Sequence, residues 1–192
     1  PLLDPLLRIE PVADVELPID DVVALVVTSR NAVPGLTRAP RHLPVACVGD
    51  ATAAAVQAAG FRVIGEGPGS VAALAEALCD LLPAGATVLH LCGEDRAPGT
   101  EAAFARAGLR YRHVVLYRAV AATALRPTTS DALAGGTLDA VLLFSPRSAM
   151  VLCELIRRAG LAPAAEACLA VCLSPAVAEA AAALPWRACR TA

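Results

Sequence analysis

Consecutive apolar residues recur along the chain and predict six buried β-strands. Their apolar positions do not alternate with polar ones, which is typical of parallel strands covered on both faces. The predicted strands are 24–28, 45–48, 87–91, 113–116, 140–144 and 168–172. The helices predicted between them, all rich in Ala or Leu, are 51–59, 70–82, 99–107, 148–159 and 175–184. Strands that alternate with helices of about ten residues indicate βαβ units, so the pattern predicts an α/β protein with doubly wound parallel sheets.

Glycine and proline support these helix boundaries. Gly60, Gly108 and Gly160 each follow a helical stretch directly, where a left-handed residue commonly closes a helix. Ser174 and Pro175 suit the N-cap and the first position of the last predicted helix, because the missing N–H of proline has no partner there in any case.

A weak internal repeat links the two halves of the chain. “VVTSRNAV” (26–33) and “VGDATAAA” (48–55) resemble “FSPRSA” (144–149) and “LSPAVAEAA” (173–181). In each half, one strand ends in Ser with an Arg nearby, and a second strand leads through a small turn into an Ala-rich helix. We predict a duplicated domain, although any α/β protein repeats itself in a similar way. Two such domains would direct the carboxyl ends of their strands toward a shared cleft, where α/β proteins usually bind ligands.

The stretch “AVPGLTRAPRHLP” (32–44) departs from this pattern. It contains Pro34, Pro40 and Pro44, and a proline inside an α-helix removes a hydrogen bond and clashes with the preceding turn. We therefore predict that it holds no proper crossover helix, although parallel strands need a connection of about a dozen residues or more. Our hypothesis is that residues are missing near Val33 and Pro34.

Composition narrows the possible functions. Aromatic residues make up 3% of the chain and hydrophobic residues 57%, so the core must be built from Val, Leu and Ala. The formal net charge of −2 leaves no basic face, so we predict no binding of nucleic acid by this chain alone. No apolar run reaches about 18 residues, which predicts no membrane span. The seven cysteines are scattered without a C-x-x-C pair, which indicates a reducing, cytoplasmic compartment.

Small polar residues at the strand ends form the candidate site. Hydroxyl groups and free N–H groups where a strand passes into a helix suit a carboxylate or a phosphate. The candidates at such turns are Thr28, Ser29, Arg30, Asn31, Gly49, Thr52, Gly93, Ser145, Arg147, Ser148 and Ser174. The simplest alternative is that the serines only cap helices, and that the loop after Gly93 is a solvated turn.

Motifs for other chemistry are missing from the chain. “LLFSPRSAM” (142–150) lacks the G-x-S-x-G of a hydrolase, and “GEGPGS” (65–70) is not the G-x-G-x-x-G of a dinucleotide site. The histidines are far apart, and we predict that His90 and His113 are satisfied core residues and that no metal is bound. Hydroxyls, backbone amides, arginines and Tyr117, one of only two tyrosines, remain. This set suits the binding of an anion.

Six short motifs, taken together, point to one family. In chain order they are “VVTSRNAV”, “VGDATAAAVQAAGF”, “HLCGEDR”, “VVLYRAV”, “FSPRSA” and “LSPAVAEAA”. This ordered set resembles uroporphyrinogen-III synthase over nearly the whole chain, and “PLLRIEP” (5–11) resembles the family's first crossing between domains. The resemblance implies a bilobal protein of two flavodoxin-like α/β domains with doubly wound parallel sheets, joined by a two-strand linker. The middle domain is expected at 9–120. The second is expected at 1–8 plus 121–192, with its N-terminal strand and helix missing from this chain.

The resemblance also implies a reaction. Members of the family are lyases of haem and other tetrapyrrole biosynthesis that use no cofactor. They cyclise hydroxymethylbilane, a linear tetrapyrrole with eight carboxylates, to uroporphyrinogen III, with loss of water and inversion of ring D. Tyr117 matches the family tyrosine at the second crossing between domains, and is expected to assist departure of the hydroxyl as a proton donor or hydrogen-bond partner.

Substrate-binding positions follow from the same match. Thr28, Ser29 and Thr52 match positions where the middle domain meets substrate carboxylates. The resemblance extends the other lobe's site to the turns Ser145, Pro146, Arg147 and Ser148, and Ser174, Pro175 and Ala176. Leu173 stands where many members have Gly and Ala176 where many have Thr, which leaves Ser174 and backbone amides to bind at that turn.

Two other interpretations remain open. A non-catalytic bilobal module that binds small anions would need the same cleft but would not need Tyr117. A regulatory α/β domain fused to another protein is the third possibility. For the enzyme we expect a monomer that acts in the cytoplasm.

Overall fold

The structure, a computed structural model, describes residues 1–67 and 69–192, with only the backbone of Glu66. The chain forms two compact units. The middle unit is Ile9–Ala119, and the terminal unit combines Pro1–Arg8 with Val120–Ala192. Pro68 of the “GEGPGS” stretch lies outside the described residues.

The middle unit is built on a six-stranded sheet. Its strands are β1 (Leu7–Pro11), β2 (Val22–Val27), β3 (Val45–Val48), β4 (Val63–Gly67), β5 (Thr87–Gly93) and β6 (Arg110–Ala121). Its helices are α1 (Asp50–Ala58), α2 (Val71–Cys79) and α3 (Thr100–Arg106), together with a 3₁₀ helix at Arg30–Arg38. The strand order is β1-β6-β5-β2-β3-β4, and the five strands from β2 to β6 are parallel.

The central strands bury side chains on both faces, which explains their consecutive apolar residues. Leu25 and Val27 of β2 belong to a core that includes residues of the 3₁₀ helix and of α1. Ala24 and Val26 of the same strand belong to a second core, with residues of α2 and α3. Helices therefore cover both faces of the sheet, and the predicted α/β class with parallel strands is confirmed.

The strand order corrects one detail of the prediction. Numbered from β2, the parallel strands follow the order 3-2-1-4-5, whereas flavodoxin has the order 2-1-3-4-5. The difference arises because the chain proceeds from β2 to β3 and β4, and then returns through α2 to place β5 on the other side of β2. The direction of winding thus reverses between β2 and β5.

Strands β1 and β6 carry the chain between the two units. The backbone N–H of Val12 donates to the carbonyl of Leu116 at 2.8 Å, and that of Ala122 donates to Leu6 at 2.9 Å. The lower-numbered Leu6 pairs with Ala122 and the higher-numbered Val12 pairs with Leu116, so the two segments run antiparallel. Strand β6 is much longer than the predicted 113–116, because Arg110 and Arg112 at its start hid the strand pattern.

The connection at 32–44 contains no α-helix, as its prolines predicted, but most of a 3₁₀ helix that was not predicted. The 3₁₀ helix Arg30–Arg38 contains only Pro34, whereas Pro40 follows its end and Pro44 precedes β3. Pro34 can lie inside this helix because the fixed φ of proline, about −65°, suits a 3₁₀ helix, although its missing N–H removes one hydrogen bond. The 3₁₀ helix includes Val33 and Pro34, and the suggestion that residues are missing there stays a hypothesis.

The terminal unit has a smaller parallel sheet of three strands in the order β7-β8-β9. These are β7 (Ala140–Leu143), β8 (Leu169–Cys172) and β9 (Ala188–Thr191). The helices are α4 (Pro127–Ala134), α5 (Pro146–Arg158) and α6 (Pro175–Ala181), with a 3₁₀ helix at Ala162–Ala167. Strands β4 and β9 and helix α4 were not predicted from the apolar pattern. In the part of the chain that the structure describes, no helix has the length and apolar character needed to cross a membrane.

The three helix ends predicted from glycine are confirmed. Gly60, Gly108 and Gly160 have φ values of 83°, 71° and 71°, each one residue beyond the C-cap of its helix. A side chain would be strained in this left-handed conformation. Ser174 is the N-cap of α6, and Pro175 is the first residue of that helix.

Candidate functional site

Several predicted site residues lie along one edge of the middle sheet. Because β2, β3, β5 and β6 are parallel, their carboxyl ends meet at the same edge. Thr28 follows β2, Gly49 follows β3 and Gly93 ends β5. Tyr117 of β6 pairs with Gly93 across the ladder. The fold therefore brings together four of the positions that the sequence pointed to separately.

The ring of Tyr117 packs directly on Gly93. A Cβ atom built on Gly93 would lie 2.6 Å from Cε2 and 2.7 Å from Cζ of the tyrosine, and 3.0 Å from its hydroxyl oxygen. Real Cβ atoms do not approach other atoms so closely, so a side chain at position 93 would displace the tyrosine ring. The Glu94 N–H also donates to the Tyr117 carbonyl at 2.9 Å. Gly93 was predicted to bind substrate, which stays a prediction, and in the structure it is the surface on which the tyrosine ring rests.

The outer part of Tyr117 remains accessible. The residue is half-buried, and its ring packs against the core that contains Leu25 and Leu91. Among the residues that the structure describes, none forms a hydrogen bond with its hydroxyl. Packing thus holds the ring in place, while the hydroxyl can still bind another group.

Thr28 belongs to a chain of three polar side chains. Its Oγ1 lies 3.0 Å from Nε2 of His90, and Nδ1 of His90 lies 2.9 Å from the hydroxyl of Tyr111. His90 is only 2% exposed, and burial is the main cause that lowers its pKa to about 4, with smaller contributions from His113 and Arg96. His90 is therefore neutral near pH 7. The prediction that it is a satisfied core residue is confirmed.

His113 does not share that environment, and its predicted core position is wrong. It is exposed on β6, where buried and exposed residues mix because the strand lies near one side of the sheet. Its ring stacks on Tyr111 with centroids 5.9 Å apart. Burial still lowers the pKa of His113, and Arg96 adds to the effect.

The turn after β2 combines capping with exposure. Ser29 is the N-cap of the 3₁₀ helix, and its Oγ accepts a hydrogen bond from the Asn31 N–H at 3.3 Å. The capping alternative is therefore correct for this serine. Its hydroxyl hydrogen can still donate elsewhere, because a hydroxyl is donor and acceptor at once. Arg30 and Asn31 are exposed beside it.

The turn after β3 combines a glycine N-cap with a threonine in the first helical turn. Gly49 has φ 78°, which favours glycine, and it is the N-cap of α1. Thr52 is only 7% exposed, and its N–H donates to the Gly49 carbonyl at 3.0 Å. Among the described residues, the Thr52 hydroxyl is not one of the buried side-chain atoms that lack a hydrogen-bond partner, so it remains available to a ligand at this turn. Asp50 is exposed in the first turn of α1, where its carboxylate opposes the approach of another anion.

In the terminal unit, the predicted turns after β7 and β8 are neighbours. The N–H of Leu173 donates to the carbonyl of Leu143 at 2.9 Å, which joins the two strand ends. Ser145 caps α5: its Oγ accepts from the Ser148 N–H at 3.1 Å and donates to the Ser148 Oγ at 2.9 Å. Ser174 caps α6 without a side-chain hydrogen bond.

The other predicted residues complete these two turns. Pro146 and Pro175 each occupy the start of a helix and are exposed. Arg147 is half-buried and Ala176 is exposed. Together with the serines, they form a surface of hydroxyl groups and helix N-terminal N–H groups, which suits an anion.

One residue of the site was missed by the sequence analysis. Tyr111 reaches His90 because β5 and β6 are neighbours in the sheet, which the apolar pattern does not reveal. Its being one of only two tyrosines was the available signal. Within the described ranges 1–67 and 69–192, no group of three or more His, Cys, Asp or Glu side chains could hold a metal.

Comparison with known proteins gives consistent results. The family described as “Uroporphyrinogen-III synthase HemD” matches residues 1–192. The solved uroporphyrinogen-III synthetase of Helicobacter pylori is similar, with 17% identity over 97% of this chain and 84% of that one and a TM-score of 0.66. A mutant uroporphyrinogen III synthase of Thermus thermophilus has 20% identity over 98% of this chain and 82% of its own, with a TM-score of 0.55. At such identities the two structures support the fold. Among curated proteins, no significant match was found.

Proposed function

Because the chain belongs to the uroporphyrinogen-III synthase family, we propose that it cyclises hydroxymethylbilane to uroporphyrinogen III, with loss of water and inversion of ring D. The family match over residues 1–192 is the observation that carries this proposal. The family is one of enzymes, classed as lyases. For this chain we propose a monomer that acts in the cytoplasm without a cofactor.

We also propose how the substrate is bound. Its eight carboxylates accept hydrogen bonds, and hydroxyl and N–H groups at helix N-termini donate them. In the middle unit, Thr28 and Ser29 act with the exposed Arg30 and Asn31. Gly49 contributes backbone, and Thr52 of the same turn contributes its hydroxyl. This arrangement of local donors does not depend on the net charge of the chain, which is −2.

The terminal unit supplies a second group of donors in this proposal. The turn after β7 contributes Ser145, Arg147 and Ser148, while Pro146 sets the start of the helix. At the turn after β8, Ser174 contributes a hydroxyl that forms no capping bond, and Ala176 contributes its backbone N–H. Both groups lie at the carboxyl ends of parallel strands, where α/β proteins usually bind ligands.

Tyr117 is the proposed catalytic residue. Its phenol donates a proton or a hydrogen bond to the hydroxyl group that leaves the terminal carbon of hydroxymethylbilane. Departure of water produces an azafulvene cation, which attacks the substituted carbon of ring D. The resulting spiro intermediate rearranges and closes the macrocycle. The fixed ring over Gly93 and the accessible hydroxyl support this role, because a general acid must reach the leaving atom in a defined geometry.

We extend the proposal to the architecture. Two doubly wound α/β domains would be joined by β1 and β6, with the middle unit as the continuous domain and the terminal unit as the discontinuous one. The two cores on opposite faces of the middle sheet support this for the first domain. For the second, support comes from the three parallel strands and from the Ser-capped helices that follow β7 and β8.

Isomer analysis of the product tests the function directly. The protein is incubated with hydroxymethylbilane, and the products are oxidised to porphyrins and separated into types I and III by chromatography. We expect type III to predominate, whereas heat-denatured protein should yield only the type I isomer of non-enzymatic closure. Type I alone from the native protein would contradict the proposal. If the native protein bound the tetrapyrrole but gave only type I, the anion-binding module would be the better interpretation.

A further inference from the structure

A single buried imidazole connects two hydroxyl groups in the middle unit. His90 of β5 contacts Thr28 through Nε2 at 3.0 Å and Tyr111 through Nδ1 at 2.9 Å. The three residues come from three different parts of the sheet, since Thr28 follows β2 and Tyr111 belongs to β6. Thr28 is half-buried at the strand end and reaches the surface, whereas His90 is 2% exposed.

The imidazole can donate only one of these two hydrogen bonds. Burial, assisted by His113 and Arg96, holds the pKa of His90 at about 4, so the ring carries a single N–H near neutral pH. Either Nε2 donates to Thr28 and Nδ1 accepts from Tyr111, or both bonds run the opposite way. The two arrangements leave different groups of Thr28 available to a ligand.

The acidity of the two hydroxyls favours the first arrangement. A phenol ionises near pH 10, far below an aliphatic hydroxyl, so it is the stronger donor and the weaker acceptor. Burial raises the pKa of Tyr111 to about 12, so the phenol keeps its proton throughout the neutral range. Tyr111 therefore donates to Nδ1, and the proton on Nε2 is directed at Oγ1 of Thr28.

We propose that Tyr111 and His90 are positioning residues that make Thr28 a dedicated hydrogen-bond donor to a substrate carboxylate. This inference rests on the proposed function for the identity of the carboxylate. When Oγ1 accepts from Nε2, the single hydrogen of the Thr28 hydroxyl points away from His90. A carboxylate only accepts hydrogen bonds, so it fits this arrangement. In the opposite arrangement, Thr28 would donate to His90 and present only lone pairs, which repel a carboxylate.

The tautomer of His90 gives the first test, and it is independent of activity. Protein labelled with ¹⁵N in its histidines is examined by long-range ¹H–¹⁵N correlation near neutral pH, and His90 is assigned from its absence in His90→Gln. We expect the proton on Nε2. In Tyr111→Phe we expect a mixture with the Nδ1 form, because the phenol that selects the tautomer is gone. A proton on Nδ1 in the unsubstituted protein would overturn the proposal.

Binding of uroporphyrin III, the oxidised form of the proposed product with the same eight carboxylates, gives the second test. We expect Thr28→Val to raise its Kd about tenfold or more, since a hydrogen bond to a charged group is lost. Tyr111→Phe should raise Kd roughly threefold to tenfold, and Thr28→Ser should bind nearly as well as the unsubstituted protein. In Thr28→Val, the further change Tyr111→Phe should have no effect, because the group that it orients is already absent.

Thr87→Val is the matched control. Thr87 lies at the other end of β5, is 2% exposed, and donates to Asp21 at 3.0 Å, so this variant also removes one largely buried hydroxyl contact. It should lower stability without changing Kd. If Tyr111→Phe lowered stability without changing Kd, Tyr111 would be merely structural and the proposal would be wrong. Failure of the unsubstituted protein to form type III would reject the proposed function alone, because tautomer and Kd are measured without turnover.

Discussion

The turn after β2 in the middle unit and the turn after β7 in the terminal unit share one local construction. In both, a serine with extended backbone caps a helix, with φ −149° at Ser29 and φ −146° at Ser145. Each serine accepts a hydrogen bond from a backbone N–H two or three residues later. The similarity of the two sequences in this region therefore reflects, at the least, the same capping requirement.

The two turns differ in the residue that precedes the serine. Thr28 precedes Ser29 and is held by the buried His90, whereas Phe144 precedes Ser145 and is 68% exposed. All three histidines of the chain lie in the middle unit. Two turns with the same cap therefore acquire different chemistry from the strands beside them. We expect the two units to respond differently to substitution for this reason.

The largest expected effect concerns the contact between Gly93 and Tyr117. In Gly93→Ala the new methyl group would collide with the tyrosine ring, so the phenol must move. We expect formation of uroporphyrinogen III to fall toward the level of Tyr117→Phe, which should lose about 10²–10⁴-fold, with a larger share of type I. Gly65→Ala in β4 is the matched control, because its Cβ would meet its nearest neighbours at an ordinary 3.6 Å. Full activity of Gly93→Ala would show that the ring position does not matter.

The second effect is a pH dependence that His90 confers on the middle unit. Its pKa of about 4 lies below the usual 6.5, so the unfolded chain binds more protons between these values. The stabilisation is complete above pH 6.5 and is lost as the pH falls toward 4. In urea titrations, the free energy of unfolding should fall between pH 7 and pH 5 in both proteins. The fall should be on the order of 2 kcal/mol larger in the unsubstituted protein than in His90→Gln. Equal slopes for the two proteins would contradict the burial of His90.

Removal of the two capping serines should lower the free energy of unfolding by smaller and unequal amounts. Ser145→Ala removes the cap of the 13-residue α5 and its contact with Ser148, so we expect unfolding free energy to fall by about 1 kcal/mol. Ser29→Ala removes a longer bond of 3.3 Å from a 3₁₀ helix and should cost less. Equilibrium unfolding of both variants in urea compares them. A larger loss of unfolding free energy in Ser29→Ala than in Ser145→Ala would contradict this prediction.

Ser174→Ala should have the smallest effect on stability. Ser174 caps α6 without a side-chain hydrogen bond, so its hydroxyl contributes little to the folded state, roughly 0.5 kcal/mol or less. We nevertheless expect weaker binding of uroporphyrin III, since the hydroxyl is proposed to meet a carboxylate. Stability and Kd are measured on the same preparation. A loss of stability as large as that of Ser145→Ala would indicate a capping role instead.

Local features were predicted well because they depend on a few neighbouring residues. The bounds of β3 agree with the prediction, and α5 and α6 start within two residues of it. The 3₁₀ helix 30–38 was not predicted, because the three prolines in the stretch argued against an α-helix and gave no sign of a 3₁₀ helix. Only one of them lies inside the helix.

The sequence could not predict that the two tyrosines pack on opposite faces of the sheet. Tyr111 and Tyr117 are six residues apart on one strand, and a regular strand would direct both to the same face. The register with β5 shifts between Cys92 and Gly93, so that Tyr117 pairs with Gly93 one residue later than a regular ladder would allow. As a result, Tyr111 and Tyr117 pack against cores on opposite faces of the sheet. A register shift of one residue moves the following side chains of a strand to the opposite face of the sheet, and the local sequence pattern does not reveal such a shift.

The order of amino acids alone determined most of the central strands, the helix ends at glycine, the serine caps and the family, because each depends on residues close together in the chain or on motifs in a set order. Only the tertiary structure decided which strands are neighbours, where the register shifts, and hence that Thr28, His90 and Tyr111 form one hydrogen-bonded chain. These three residues are separated by 62 and 21 positions. Contacts at such separations depend on how the crossover helices pack the strands into a sheet.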